Sequence, residues 1–208
     1  MCWDCLADVP RVEPPFCSCC GDPVAGDVQH DFVCYACSRE MPRFDLARSA
    51  VRYEGVVGDS LRALKYEGAL WLVPDLVSLL MACVAAEYAE RRFDRVVSVP
   101  LFSSRRRSRG YNQAALLASA LAARMRVPYK ESSVRRIRST VSQTGLTAPQ
   151  RAANVIGAFR SGLFSSFSGD SVLLVDDVMT TGATVNACSG ALKARGAKSV
   201  CVVTVARG

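Results

Sequence analysis

The sequence predicts an α/β fold, a mostly parallel sheet flanked by helices, with a small cysteine-rich module in front of it. Three observations point there. From about Pro42 onward, strand-like and helix-like patterns alternate, as they do in βαβ units. The runs VVSV (96–99) and VLLV (172–175) are not interleaved with charged residues, as expected of strands buried on both faces. The first 37 residues hold seven of the ten cysteines, are rich in proline and glycine, and show no sustained period. That segment must fold around something other than a hydrophobic core. The chain therefore divides into a module at 1–42 and a domain at 43–208, a length that suits one α/β core with a small appendage.

In chain order, Ser49 to Tyr53 reads as a short strand, followed by helical segments at about 56–66 and 71–91. The run DRVVSVP, 94–100, is a buried strand that its proline stops. A loop of arginines follows, then the helix GYNQAALLASALAARM and a strand at 129–137. Arg138 to Ala153 is polar and turn-rich, and reads as a long loop of the kind compact domains keep only for a purpose. A strand at 171–176, a helix from about 182 to 195 and a last strand at 198–206 complete the domain.

Half of the residues are hydrophobic and 22% are charged, the balance of a globular protein rather than a disordered chain. The net charge of +7 is unevenly spread. Between Arg95 and Gly169 thirteen Lys and Arg face a single acid, Glu131, so this stretch carries +12 and the rest −5. Positive charge is thus concentrated where a polyanion can sit. The N-terminus has no basic-then-apolar leader pattern. The longest apolar stretch, Ala69 to Ala89, is broken by Pro74, Asp75 and Glu87, leaving no run of about 20 residues for a bilayer. We expect no membrane insertion and a cytoplasmic location, where clustered cysteines hold metal more often than they form disulfides.

The chemistry concentrates at residues 172–184, VLLVDDVMTTGAT. Asp176 and Asp177 follow the buried strand at once, at the carboxyl edge where open α/β sheets bind ligands. Unpaired, two adjacent acids repel and one takes up a proton; a bound Mg²⁺ or the hydroxyls of a ribose would relieve that. Thr180, Thr181, Gly182, Ala183 and Thr184 then lead into a helix. Its first N–H groups, its dipole and three threonine hydroxyls make a cradle for a phosphate, and Gly182 lets the backbone come close. Acids for a sugar and a cradle for its phosphate stand a few residues apart, so the segment reads as a site for a phosphorylated ribose. The plain alternative is a solvated loop and an ordinary helix cap.

Two further clusters stand out. Arg105, Arg106, Arg107 and Arg109 precede Gly110 and a helix start, a set that suits pyrophosphate or a nucleic-acid backbone equally. Cys17-x-x-Cys20 and Cys34-x-x-Cys37 are two metal-ligand pairs separated by thirteen residues, close to zinc-ribbon spacing. Four thiolates would close the shell of a structural Zn²⁺, whose binding, worth about 10–16 kcal/mol, would replace the missing core. Cys2 and Cys5 form a third pair and are candidate ligands. Cys19 is a competing ligand, His30 reads as a surface residue, and Cys83, Cys188 and Cys201 read as core.

Residues 172–184 resemble, over all thirteen positions, the 5-phosphoribosyl-1-pyrophosphate (PRPP) signature of the type I phosphoribosyltransferases. The resemblance narrows to the ComF (ComFC) family through the cysteine pairs, LKYEG at 64–68, VVSVPLF, RGYNQA with Tyr111 where phenylalanine is usual, QTGLTAPQRAANVIGAF at 143–159 and the terminal GAKSVCVVTVAR. It implies a type I phosphoribosyltransferase fold behind an N-terminal zinc ribbon. Asp176 and Asp177 would hold ribose hydroxyls and Mg²⁺, residues 180–184 the 5′-phosphate, and Arg105 and Arg109 the pyrophosphate. The loop around Gln143, Arg151 and Asn154 would form a hood. In relatives acting on 6-oxopurines an aspartate stands where this chain has Thr180, which argues against hypoxanthine or guanine as acceptor. ComF proteins often begin with a double zinc ribbon, by which this chain starts midway through the first.

Two functions follow from the resemblance. One is a PRPP-dependent transferase that releases pyrophosphate and acts in DNA uptake during natural transformation, its catalysis mostly electrostatic because no general base is evident. The other is a non-catalytic competence protein that binds single-stranded DNA, with PRPP as ligand or regulator and with other competence proteins, such as a helicase, as partners.

Overall fold

The computed structural model describes residues 8–24, 26, 32–131, 134–137, 157–161 and 167–208. Along the chain come α1 (Tyr35–Arg39), β1 (Leu46–Arg52), α2 (Gly55–Tyr66), a 3₁₀ turn (Leu70–Leu72), α3 (Val73–Glu87) and β2 (Arg95–Ser98). They are followed by α4 (Ser103–Arg109), α5 (Gln113–Met125), β3 (Val134–Arg136), β4 (Phe159–Ser161), β5 (Ser171–Met179), α6 (Ala183–Lys193) and β6 (Ser199–Arg207). Strands β1, β6, β5 and β2, in that order, form one sheet in which every neighbouring pair is parallel. β3 and β4 form a separate antiparallel pair.

The two-residue period of a strand sends alternate side chains to opposite layers. Leu173, Val175, Val203 and Val205 join a core with Leu61 of α2, Leu76 and Leu80 of α3, and Leu117 and Leu121 of α5. Their neighbours Val172, Leu174, Val200 and Val202 join a second core with Val185, Cys188 and Leu192 of α6. Cys17, Cys20 and Cys37 belong to that second core, so the cysteine-rich segment covers part of the α6 face of the sheet. Cys83, Cys188 and Cys201 are buried, as their apolar contexts imply.

Several boundaries differ from expectation for identifiable reasons. β1 begins at Leu46 rather than Ser49, because Asp45 N–H donates to the Val200 carbonyl and opens the ladder to β6 three residues early. The arginine loop is in fact a helix, α4: Arg106 N–H closes on the Phe102 carbonyl, and Gly110, at φ 85, ends it as a left-handed cap. Asn112 then starts α5, its Oδ1 accepting from Ala114 N–H at 3.2 Å and its Nδ2 donating to the Val99 carbonyl at 3.0 Å. Of 129–137, Tyr129 makes a single bridge to Val96 and 134–136 pair with β4. The strand expected to end at residue 176 runs to Met179, so the two acids lie inside the ladder, with Asp176 in register with Thr204.

The apolar segment Leu70–Glu87 is long and apolar enough, by length and composition alone, to cross a membrane. Here it packs instead against the sheet and α5, with Leu76, Val77 and Leu80 at 0% exposure. Leu80→Ala should therefore cost about 2–5 kcal/mol of stability, read as a lowered urea midpoint. A loss within about 0.5 kcal/mol, the size typical of surface positions, would mean that Leu80 is not packed in this core.

Candidate functional site

The polar centre of the molecule lies where β5 leaves its apolar run. Asp176 and Asp177 are 8% and 5% exposed, and Asp177 N–H donates to Asp176 Oδ1 at 3.0 Å. From α2, the Lys65 ammonium makes an ion pair with Asp177 Oδ2. From α5, the Gln113 amide reaches Asp177 Oδ1 at 3.5 Å. The two acids consequently part company. Burial, with the neighbouring Asp177 charge adding to it, pushes the Asp176 carboxyl well above the usual carboxylate range. Burial also acts against ionised Asp177, but the Lys65 ammonium and the bonds from Lys65 and Gln113 outweigh it and hold that carboxyl below its ordinary value. For Lys65 itself burial disfavours the charge, and Asp177 outweighs it, raising the ammonium pKa. The two adjacent acids are thus shifted in opposite directions, with a lysine as counter-cation to Asp177.

Gly182, at φ 75, turns the chain from β5 into α6 and accepts Asn186 N–H through its carbonyl. A Cβ at this position would stand 2.8 Å from the Met179 Cε, so a side chain meets both strain and a neighbour. Around it Thr181 is exposed, while Thr180, Ala183 and Thr184 are half-buried. Thr181 Oγ1 lies 3.5 Å from Ala183 N, at the helix start. The terminal Gly208 N–H donates to the Met179 carbonyl at 3.0 Å, tying the last strand to the entry of the turn.

On the other side of Lys65, the end of α2 faces α4 across a cavity of about 450 Å³ lined by Lys65, Tyr66, Arg105, Ser108, Arg109 and Tyr111. Arg109 lies over the Tyr66 ring at 5.4 Å and donates to Gln113 Oε1. Gln113 therefore links Arg109 to Asp177, and Lys65 borders both the acids and the cavity. Arg105 and Arg109 come together here. Arg106, by contrast, turns to Glu131 at 2.9 Å, and Arg107 is exposed. Gln143, Arg151 and Asn154 of the expected hood lie outside the described residues. Lys65, Tyr66 and Gln113 carry no motif of their own chemistry. Their positions within LKYEG and GYNQA were the available signal, and it does not say what they touch.

In the N-terminal segment, the sulfurs of Cys17, Cys20, Cys34 and Cys37 lie within 4.8 Å of one another, close enough to hold one metal ion. Cys17 Sγ accepts N–H bonds from Cys34 at 3.3 Å and Cys20 at 3.5 Å. Burial opposes its thiolate, yet these N–H donors outweigh it and lower the Cys17 pKa to about 7; Cys20, where burial dominates, is pushed up to about 12. Four sulfurs, largely shielded, with N–H donors aimed at one of them, fit a structural Zn²⁺. Cys19 is half-buried and stands outside the four; Cys2, Cys5 and His30 lie outside the described residues.

A family model described as the phosphoribosyl transferase domain matches residues 111–208, the part that bears both the acid pair and the Gly182 turn. Competence protein F of Haemophilus influenzae is 30% identical over 197 residues, covering 93% of this chain and 85% of that protein. DNA utilization protein YhgH of Escherichia coli is 30% identical over 202 residues, covering 95% and 86%. Among solved structures, a purine phosphoribosyltransferase from Pyrococcus horikoshii is similar at 18% identity and a TM-score of 0.41, over 66% of this chain and 84% of that one. The family-model match over residues 111–208, together with the parallel sheet and its flanking helices, makes this a type I phosphoribosyltransferase fold. With relatives matched along most of their length on both sides of the sheet, the chain belongs to the ComF family of competence-related, phosphoribosyltransferase-like proteins.

Proposed function

We propose that this protein binds PRPP with Mg²⁺ and transfers the phosphoribosyl group to an acceptor, releasing pyrophosphate, as part of DNA uptake. The observation that carries this reading is the continuity of β5 with the Gly182 turn. Two adjacent buried carboxyls, Asp176 and Asp177, stand a few residues from the start of α6. Asp177 accepts from a ribose hydroxyl, and residues 180–184 receive the 5′-phosphate through N–H groups and hydroxyls. Asp176 and Asp177 would hold the Mg²⁺, which supplies charge neutralisation of the polyphosphate. Arg105 and Arg109 face the departing pyrophosphate and lower the cost of its charge. Gln143 and Arg151, outside the described residues, would by the family resemblance contribute to a hood that keeps water from the sugar cation.

Two parts of the chain divide the work: residues 43–208 bind the ligand, and residues 1–42, folded around Zn²⁺ on Cys17, Cys20, Cys34 and Cys37, brace that domain.

The α4 arginines favour a second reading beside the first. Arg106 and Arg107 are exposed, Tyr66, 73% exposed, lies under Arg109 of the same helix, and Trp71, five residues past Tyr66, is 74% exposed. Cations with exposed aromatic faces suit single-stranded DNA.

Three measurements test these assignments. Calorimetry with Mg²⁺ and PRPP should show binding that Asp177→Asn weakens by at least about tenfold; equal affinity in the variant would remove Asp177 from the site. Elemental analysis should find about one zinc per chain held by the four cysteines, lost in Cys34→Ser; a fully folded metal-free protein would contradict the zinc assignment. DNA affinity should fall steeply between low and moderate salt, and fall again when Arg106 and Arg107 are changed to alanine. A salt-insensitive interaction would point away from a phosphate-backbone contact.

A further inference from the structure

Lys65 belongs to two places at once. Its side chain is 18% exposed, its ammonium is paired with Asp177, and the same residue lines the cavity that holds Arg105, Ser108 and Arg109. Among the described residues no acid lines that cavity, whose volume of about 450 Å³ leaves room for an anion beside the two tyrosine rings. Lysine suits a post of this kind. Its compact charge rides on a flexible four-carbon stem that can turn from one partner to another.

The acid pair explains why a cation must stay when no ligand is present. An ionised carboxylate at 5% exposure requires a partner, and Lys65 is the cation that meets Asp177. Gln113 adds a neutral bond to the same carboxylate and accepts from Arg109 on its other end, so a change at Asp177 is felt at the cavity wall. A ribose that donates its hydroxyls to Asp177, with a divalent cation beside it, brings its own partner and repels the ammonium. The stem of Lys65 then has an anionic destination within reach: the polyphosphate end of the same ligand, in the cavity it already borders.

We propose that Lys65 is a positioning residue that exchanges partners, holding Asp177 in the free protein and the pyrophosphate moiety once the acid pair is occupied. This rests on the PRPP reading of Asp176 and Asp177 and adds to it a role for α2, which neither the acid motif nor the arginine helix contains.

The test uses the full chain and three variants, with Mg²⁺ alone, inorganic pyrophosphate with and without Mg²⁺, and Mg²⁺ with PRPP as calorimetric probes. In Lys65→Met, Mg²⁺ alone should bind about tenfold more tightly, because the acids lose their resident cation, while pyrophosphate added with Mg²⁺, which occupies the acids and frees the lysine, should bind about tenfold more weakly. The opposite signs separate this from a damaged fold, which would weaken both. Lys65→Arg should restore pyrophosphate affinity. In Asp177→Asn the ammonium is released to the cavity, so pyrophosphate alone should bind several-fold more tightly even as PRPP affinity falls. Unchanged pyrophosphate affinity in both Lys65→Met and Asp177→Asn, in a protein that binds PRPP, overturns the exchange and leaves the PRPP site standing. A wild-type chain that binds neither PRPP nor pyrophosphate overturns the PRPP reading and this proposal with it.

Discussion

Burying two adjacent carboxylates inside a parallel strand is the constraint around which this molecule is arranged. A strand in the middle of a sheet gives its side chains no water, and a lone carboxylate there is far too costly to remain charged. Two helices answer that demand from the same side. α2 brings Lys65 and α5 brings Gln113, and both helices lie against the face of the sheet that receives Leu173 and Val175. Asp176 faces a different environment, in which burial pushes its carboxyl well above the usual carboxylate range. The helices are held in place by apolar packing, but their registers are also set by where a lysine and a glutamine must reach. Tyr111 reinforces this, its hydroxyl donating to the Leu64 carbonyl one residue before Lys65 and so joining the α4–α5 connection to the end of α2.

The opposite face has its own anchor. Asp22, two residues past Cys20, receives Arg207 from β6 through both Nε at 3.0 Å and Nη2 at 2.7 Å. Arg207 pairs in register with Met179, the residue that enters the Gly182 turn. Nearby, Arg43 N–H donates to Asn186 Oδ1 at 2.6 Å, and Phe44 lies 3.9 Å from where a Cβ on Gly182 would stand. Gly21 admits the Ala47 carbonyl so closely that a Cβ would stand 2.7 Å from it, and Ala47 N–H reaches the Cys19 carbonyl in return. Arg48 adds a planar contact with Phe16 at 4.6 Å and a 2.8 Å ion pair with Glu87. The cysteine segment is therefore wedged between β1, β6 and the turn before α6, and whatever stabilises its sulfur cluster also stabilises the backbone beside that turn.

The parts of this arrangement that were legible in the sequence are those written in short-range pattern. Unbroken apolar runs gave β2 and β5, the Thr-Gly segment gave the helix start, and cysteine spacing gave the four-sulfur cluster. The parts that were not legible depend on partners distant in the chain. Nothing local tells Lys65 from the other lysines and arginines; it matters because α2 crosses the end of β5. The extension of β5 through its acids was hidden for the same reason. Aspartate is depleted in strands, and here it is kept in one by the ladder to Thr204 and Ala206 and by the compensation from α2 and α5.

The arginine segment illustrates the opposite case, in which charge misleads. Four arginines in five residues repel one another and read as a loop, yet they form α4. The charges are dispersed by being sent in different directions: Arg106 to Glu131, Arg109 over Tyr66 and onto Gln113, Arg105 to the cavity wall and Arg107 to solvent. A helix does this where an extended loop would not, because successive residues point about 100° apart around its axis. The result is that the two arginines facing the cavity hold fixed positions relative to Lys65, while the exposed pair is left to a different surface. A local net charge thus becomes two separate surfaces of one short helix, one facing the cavity beside Lys65 and one facing outward.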